Sequence, residues 1–477
     1  MGIFNNIISE LNNYMWSYIL IAVLVVLGTY FTFRTRFVQF KYFPEMIKVL
    51  KDPATVSSEG KRGRSSFQAF TVSLASRVGT GNLAGVATAV SAGGPGAVFW
   101  MWIIALIGAA SSFIESTLAQ IYKVKDKDEA EYRGGPAYYM ERGLNKRWLG
   151  ILFAIIIVFT FGLVFSSVQS NTISLAFDQA FGFNRFWMGV ILAVMTAAVI
   201  FGGIKRIAFV SQIIVPIMAV IYLILALFIV ITNFSEIPAM LSLIVKNALG
   251  LQEVVGGGMG AAVMMGIKRG LFSNEAGMGS APNAAATAAV THPVKQGLIQ
   301  TLGVFTDTLL ICTATAFIII MSGEYTNPDL DGIQLTQAAL TVHVGSWAPA
   351  FVGGAIFLFA FTSIIGNYYY GETNIEFIKE SPTALFIYRL AVIGMVLFGS
   401  IAELAIVWNL ADLFMGVMAL INLIAITLLA KIAMAALKDY REQRKQGKDP
   451  VFYADSIDGL TGIESWDYRK SVESENK

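Results

Sequence analysis

Residues 73–89 read SLASRVGTGNLAGVATA, and residues 266–286 read GIKRGLFSNEAGMGSAPNAAA. Each is a helix-length run of small and apolar residues interrupted in its middle. Arg77, Val78, Gly79, Thr80, Gly81 and Asn82 break the first; Gly266, Lys268, Arg269, Gly270, Asn274, Glu275, Gly277 and Gly279 punctuate the second. Glycine lets the backbone leave the helix, and a severed helix exposes unpaired amides at one end and carbonyls at the other. Such backbone survives at membrane depth only where protein or a watery cavity covers it, so two breaks predict an enclosed polar centre.

The rest of the chain places those breaks in lipid. Of 477 residues, 56% are apolar, 14% are charged and 34 are Phe, outside the usual globular range. A net charge of +2 gives no reason to expect nucleic acid. A single cysteine, Cys312, forbids an internal disulfide, and two histidines, His292 and His343, argue against a His-rich metal site. The first apolar run, near 14–33, lacks a basic leader and a cleavage site, so it reads as a retained helix. Ten further spans fall near 66–90, 95–122, 150–180, 186–203, 208–232, 254–290, 296–321, 347–370, 384–400 and 405–436. The expected fold class is therefore an all-α polytopic membrane protein of eleven helices.

The Lys/Arg bias of the loops sets the orientation. Arg34, Arg36, Lys41, Lys48, Lys51, Lys61, Arg62 and Arg64 follow the first helix, which puts the N-terminus outside. Alternation then places Lys123, Lys125, Lys127, Arg133, Arg142, Lys146 and Arg147 inside, with the turn at Lys205 and Arg206 and the tail at Lys438, Arg441, Arg444, Lys445 and Lys448. Glu324, Asp329 and Asp331 fall outside. For the basic tail to end inside, residues 254–290 must cross once, as two half-helices flanking an unwound linker.

If the first helix is peripheral, the interrupted runs become core helices 1 and 6, each leading a half of five helices. Odd counts make the halves opposite in orientation, an inverted repeat whose matching breaks point to a binding site. The expected divisions are 1–65 (peripheral helix and basic cytoplasmic segment), 66–232 (first repeat), 233–436 (second repeat) and 437–477 (basic cytoplasmic tail). The amide end of a break suits a carboxylate and the carbonyl end suits an ammonium group or sodium; a zwitterionic amino acid uses both. The blander alternative is that the glycines only let helices pack closely. No pore filter or charged ring suggests a channel, and no clustered nucleophile or acid–base set suggests an enzyme.

Residues 93–108, GGPGAVFWMWIIALIG, resemble the signature of the alanine or glycine:cation symporter family, as do the stretches at 73–89 and 266–286 and YRGGPAYYMERGL at 132–144. The resemblance implies sodium-coupled uptake of alanine or glycine through a prokaryotic cell membrane, by a protein with a ten-helix core of leucine-transporter fold. Its partners would be a small neutral amino acid, the sodium ion and the bilayer. Proton coupling is the alternative. Residues 78–82, VGTGN, are similar to the first-helix break of sodium-coupled neurotransmitter transporters. By that similarity the amides of Gly79, Thr80, Gly81 and Asn82 would hold the substrate carboxylate, and carbonyls around Ala75 and Val78 would bind sodium. The hydroxyl pair Thr362 and Ser363, in FLFAFTSIIG at 357–366, would complete that cation site if core helix 8 lies beside core helix 1. The competing expectation is that both hydroxyls bond to carbonyls one turn earlier in their own helix.

Other intramembrane polar groups carry paired readings. Asp307 is either a further sodium ligand or an anchor to broken helix 6. Gln169, one turn beyond Phe165, either meets the substrate or makes an interhelical bond. Phe165, Phe272 and Met278, with Gly270 and Gly277, should line a pocket that accepts glycine or alanine and refuses leucine. Glu115 is expected to pair with Arg77, Lys268 or Arg269, Glu372 and Glu403 to meet water, and Tyr368, Tyr369 and Tyr370 to form an interfacial belt.

Overall fold

The computed structural model describes residues 2–55, 63–126, 131–252 and 258–468. Lys61, Arg62, Lys127 and the start of the run expected from 254 lie outside the described residues, as do the side chains of Lys205 and Arg206. The chain is helical almost throughout. Its elements are α1 (Asn6–Arg34), α2 (Ser66–Arg77), α3 (Val86–Gly93), α4 (Gly96–Ile121), α5 (Pro136–Arg142), α6 (Arg147–Phe181), α7 (Arg185–Ile200), α8 (Gly203–Thr232) and α9 (Ile237–Ala248). They continue with α10 (Met259–Asn274), α11 (Ala281–Ala286), α12 (Pro293–Ser322), α13 (Gly332–Val344), α14 (Ala348–Ile378), α15 (Pro382–Ile401) and α16 (Leu404–Lys445). A two-stranded ribbon, β1 (Val124–Lys125) and β2 (Tyr132–Arg133), pairs Val124 with Arg133.

Among the described residues, seven helices are long and apolar enough to cross a bilayer: α1, α4, α6, α12, α14, α15 and α16. The second half of α8 and the segment ending in α9 form a pair bent by 74°, and α7 has only 16 residues. The two expected interruptions are present. α2 stops at Arg77 and helical geometry resumes with a π turn at Gly81–Gly85; α10 stops at Asn274 and α11 starts at Ala281. α5, α9 and α13 are additional helices in segments read as loops.

α4 and α14 form the centre. α4 packs against α1, α10, α11, α12 and α16, and α14 against α2, α6, α8 and α13. Peripheral helices instead turn apolar side chains outward, among them Ile224, Leu227 and Phe228 on α8 and Phe386, Ile387 and Leu390 on α15. Exposed rows of this kind are costly in water and suit hydrocarbon. Small residues set the spacing inside: a Cβ on Gly266 would collide with the Ala97 carbonyl oxygen, so α10 and α4 touch backbone to backbone there.

Beyond α16 the chain runs back across one end of the bundle rather than trailing away. Phe452 donates its amide to the Thr291 carbonyl at 2.9 Å, Trp466 donates Nε1 to Gln120 O at 2.9 Å, and Lys295 binds Asp449 at 3.0 Å. This segment was expected only as a basic tail; Phe452 and Ala454 are buried in it.

Candidate functional site

The two breaks meet. A Cβ built on Gly81 would lie 3.1 Å from Phe272 Cδ1 and 3.1 Å from Ser273 Cα, and one on Gly79 would collide with Ser363 Oγ and lie 2.7 Å from Gln169 Oε1. Glycine is needed at these positions for close approach. The second break turns through left-handed conformations at Glu275 (φ 57°), Gly277 (φ 84°) and Gly279 (φ 88°). Only glycine adopts these freely, so Glu275 stores local strain of order 1–3 kcal/mol.

Most severed amides already have acceptors. Gly79 N–H donates to Asn82 Oδ1 at 2.9 Å and Thr80 N–H to Gln169 Oε1 at 2.9 Å, while Asn82 N–H reaches Gly79 O at 3.2 Å. At the second break, Gly277 and Gly279 donate to Glu115 Oε1 and Oε2, each at 3.1 Å, and Asn422 Nδ2 donates to Oε2 at 2.7 Å. Glu115 thus caps the amides of a broken helix and makes no direct bond to Arg77, Lys268 or Arg269. Lys268 and Arg269 both hold Asp412 instead, at 3.1 Å and at 3.0 and 2.9 Å. Arg77 donates to Gln300 O at 3.1 Å, and its buried Nε and Nη2 find no hydrogen-bond partner among the described residues.

The carbonyl end of the first break has the opposite imbalance. Ser363 Oγ lies 2.9 Å from Ala75 O, 3.2 Å from Val78 O and 3.1 Å from Phe359 O. One hydroxyl proton faces three buried carbonyl oxygens, of which Phe359 O also accepts from Thr362, so at least one of Ala75 O and Val78 O goes without the Ser363 proton. Thr362 differs: its hydroxyl bonds Phe359 O, one turn earlier, at 2.8 Å. Such an oxygen cluster is chemically suited to a hard monovalent cation. Asp307 is surrounded by donors. Its Oδ1 accepts from Asn82 Nδ2 at 2.7 Å, and Oδ2 accepts from Ser273 at 2.8 Å and Thr308 at 2.9 Å. It therefore cross-links the two breaks.

Beside the breaks lies a cluster of tilted aromatic rings. The Phe165 and Phe272 rings are 4.7 Å apart, the Phe272 and Trp408 rings 4.7 Å apart, and the Arg269 guanidinium sits 4.2 Å from the Trp408 ring centre. Met278 is fully buried. Gly270 lies inside α10, where a Cβ would meet Ile104 at 2.7 Å, and one on Gly277 would meet Leu423 at 3.0 Å; both glycines face neighbouring helices. Three site segments are π turns, Gly81–Gly85, Val158–Phe165 and Phe305–Cys312. The wider turn re-aims Asn82, Phe165 and Asp307, a use of π geometry common at functional sites.

Some sequence expectations need correction. Tyr368, Tyr369 and Tyr370 are buried, not an interfacial belt: Tyr368 donates to Glu372 at 2.7 Å and stacks on Tyr388, while Tyr370 packs edge-on against Phe161. Glu372 is likewise buried, held by Arg389 at 3.1 Å. Glu403 is exposed, as expected. Sequence reading missed Trp408 and Asp412. Their spacing of four on one helix face was the available signal, but it has no distinctive composition in an apolar helix.

The sodium:alanine symporter family model matches residues 1–454. An amino-acid carrier protein of Bacillus subtilis is 59% identical over 98% of this chain and 98% of its own length. A probable sodium/glutamine symporter of Bacillus subtilis is 57% identical, covering 97% of this chain and 96% of its own. A sodium/proton-dependent alanine carrier protein of Bacillus sp. strain PS3 is 39% identical over 89% of this chain and 98% of its own. The chain belongs to the sodium:alanine symporter family; it is a multi-pass membrane transporter and not an enzyme.

Proposed function

We propose that this protein is a sodium-coupled symporter that takes up small neutral amino acids, alanine and glycine first, by alternating access. The observation that carries the reading is the convergence of Ala75 O, Val78 O and Phe359 O on the Ser363 hydroxyl, at the end of a broken helix that touches a second broken helix. Sodium there would balance whichever of the Ala75 and Val78 carbonyl dipoles the Ser363 proton does not reach. The substrate carboxylate would take the amides of Gly79, Thr80, Gly81 and Asn82, displacing Gln169 Oε1 from Thr80, Asn82 Oδ1 from Gly79 and Gly79 O from Asn82, and Phe165, Phe272, Met278 and Trp408 would bound the space around its side chain. Thr362 would join the cation after its hydroxyl turns from Phe359. Asp307 supports the site as a cross-link first and as a sodium ligand second.

In this reading α1 is peripheral, and the broken and bent helices complete eleven crossings, with a 5+5 inverted repeat over 66–232 and 233–436, the N-terminus outside and the tail inside. Topology is tested by labelling single cysteines placed in a Cys312→Ala background; label reaching position 329 only from the cytoplasmic side overturns it. Coupling is tested in proteoliposomes with a sodium gradient and no pH gradient. Concentrative alanine uptake is expected, and uptake indifferent to sodium would favour a proton-coupled symporter. The relative named for glutamine makes competition by glutamine a necessary arm: inhibition by glutamine as strong as by alanine would widen the pocket beyond the small-substrate reading.

A further inference from the structure

Glu275 is a carboxylate 1% exposed inside the second break, and none of the ion pairs among the described residues involves it. A buried, unpaired anion at this depth is costly and marks a functional position. Its oxygens meet hydroxyls only: Ser76 Oγ is 2.9 Å from Oε1 and Ser280 Oγ is 2.6 Å from Oε2. Ser76 has a second acceptor, Asn367 Oδ1, also at 2.9 Å. One hydroxyl proton thus lies between two equidistant oxygens. Gly366 makes this possible, since a Cβ there would stand 3.1 Å from the Ser76 amide nitrogen.

That arrangement accommodates two protonation states. With Glu275 ionised, Ser76 donates to Oε1. With a proton bound, a new O–H bond forms on Oε1 and donates to Ser76 Oγ, and the Ser76 hydroxyl turns to donate to Asn367; no other bond breaks. The short hydroxyl–carboxylate contacts favour a proton over sodium, which needs a cage of oxygens standing apart around it. The other charged or titratable groups acting on Glu275 are Arg77 on α2, Asp307 on α12 and Tyr370 on α14. None makes a direct bond to it.

We propose that Glu275, relayed by Ser76 and Asn367, is a proton site that opposes sodium binding at the Ser363 oxygens. Position supplies the coupling. Ser76 lies between Ala75 and Val78 on α2, and Asn367 lies one turn after Ser363 on α14, so the two sites share one helix pair. An ionised Glu275 favours the nearby cation, and its protonation removes that attraction. The inference rests on the sodium-symport reading.

The test measures the sodium concentration for half-maximal alanine uptake in proteoliposomes at about pH 5.5 to 8.5. In the unaltered protein it should rise several-fold toward acid. In E275Q it should stay flat near the acid value. S76A keeps the carboxyl but loses the hydroxyl that donates to its ionised form, so its rise should move to higher pH; this arm stands even where E275Q is not recovered folded. A pH-independent sodium requirement in the unaltered protein, an unaltered pH dependence in E275Q, or an unmoved curve in S76A overturns the proposal. Uptake indifferent to sodium at every pH overturns the symport reading with it.

Discussion

Removing the Ser363 hydroxyl separates a cation site from an ordinary hydrogen bond. In the structure this oxygen approaches Ala75 O, Val78 O and Phe359 O within 2.9–3.2 Å, whereas Thr362 Oγ1 touches only Phe359 O. If Ser363 is only a donor, Ser363→Ala loses about 0.5–1.5 kcal/mol of net bonding and leaves sodium dependence alone. If it is a ligand, the variant loses an interaction with a charged partner, about 1.5–3 kcal/mol, which at 1.4 kcal/mol per decade is roughly a 10- to 100-fold rise in the sodium needed for half-maximal uptake. Thr362→Ala should raise it several-fold, less than Ser363→Ala, because Thr362 must first leave its own helix. Alanine affinity at saturating sodium should stay near normal in both. The assay is radiolabelled alanine uptake over a sodium series, with a thermal melt on the same preparations. Ser363→Ala with a lower melting temperature and an unchanged sodium curve would refute the assignment.

Three further outcomes follow from the same geometry. Phe272→Ala removes a ring packed between Phe165 and Trp408, at a stability cost of about 3–5 kcal/mol, and should admit larger side chains; an unchanged substrate list in competition assays would remove Phe272 from the pocket wall. Gln169→Glu places a built-in carboxylate on the Thr80 amide and should weaken alanine binding more than Gln169→Ala does, read as the alanine KM. His292 accepts from the Val294 amide through Nδ1 and contacts Asp439 through Nε2, and burial holds its pKa below the usual 6.5. The unfolded chain then binds more protons than the fold just below about pH 6.5, so stability should fall as pH drops through that range, and less so in His292→Asn, which keeps a capping side chain.

The breaks were legible because a glycine cluster inside an apolar run weakens the helix it interrupts, a cost that a membrane span bears only where the backbone must leave the helix or touch a neighbour. The first falls at 78–80, inside the stretch the sequence marks; the second is narrower than its glycine run, 275–280, because Gly266, Lys268, Arg269, Gly270 and Asn274 stay inside α10. Gln169 and Asp307 were legible as buried polar residues but not in their partners, since the reach from α6 to Thr80 or from α12 to Asn82 is a property of packing. Glu115 shows the limit most clearly. Charge alone suggested a basic partner, yet the severed amides of Gly277 and Gly279 offered two donors without a second charge to desolvate. The tyrosine run misled because its aromatic composition is that of a membrane interface, while its position on the central helix α14 buries it. The segment after α16 carried no periodicity, so its return across the bundle had no signal.

Counting donors against acceptors argues where a coupling cation would settle. Asp307 receives three side-chain donors, Glu115 three donors and Glu275 two hydroxyls, so each carboxylate is already embedded in protons from its neighbours. Sodium entering at Asp307 would have to displace Asn82, Ser273 or Thr308 and undo the cross-link between the two breaks. At Ser363 it would displace one hydroxyl proton and gain the Ala75, Val78 and Phe359 carbonyls, the first two at the C-terminal end of α2, where the helix dipole favours a cation. The negative charge need not be a ligand to help: a carboxylate bonded to Ser76, the neighbour of Ala75, favours the cation through the local potential without its own desolvation being tied to the ion. That division, with uncharged oxygens as the cage and a titratable charge beside it, would let the cation leave once the neighbouring charge is neutralised, as a transport cycle requires.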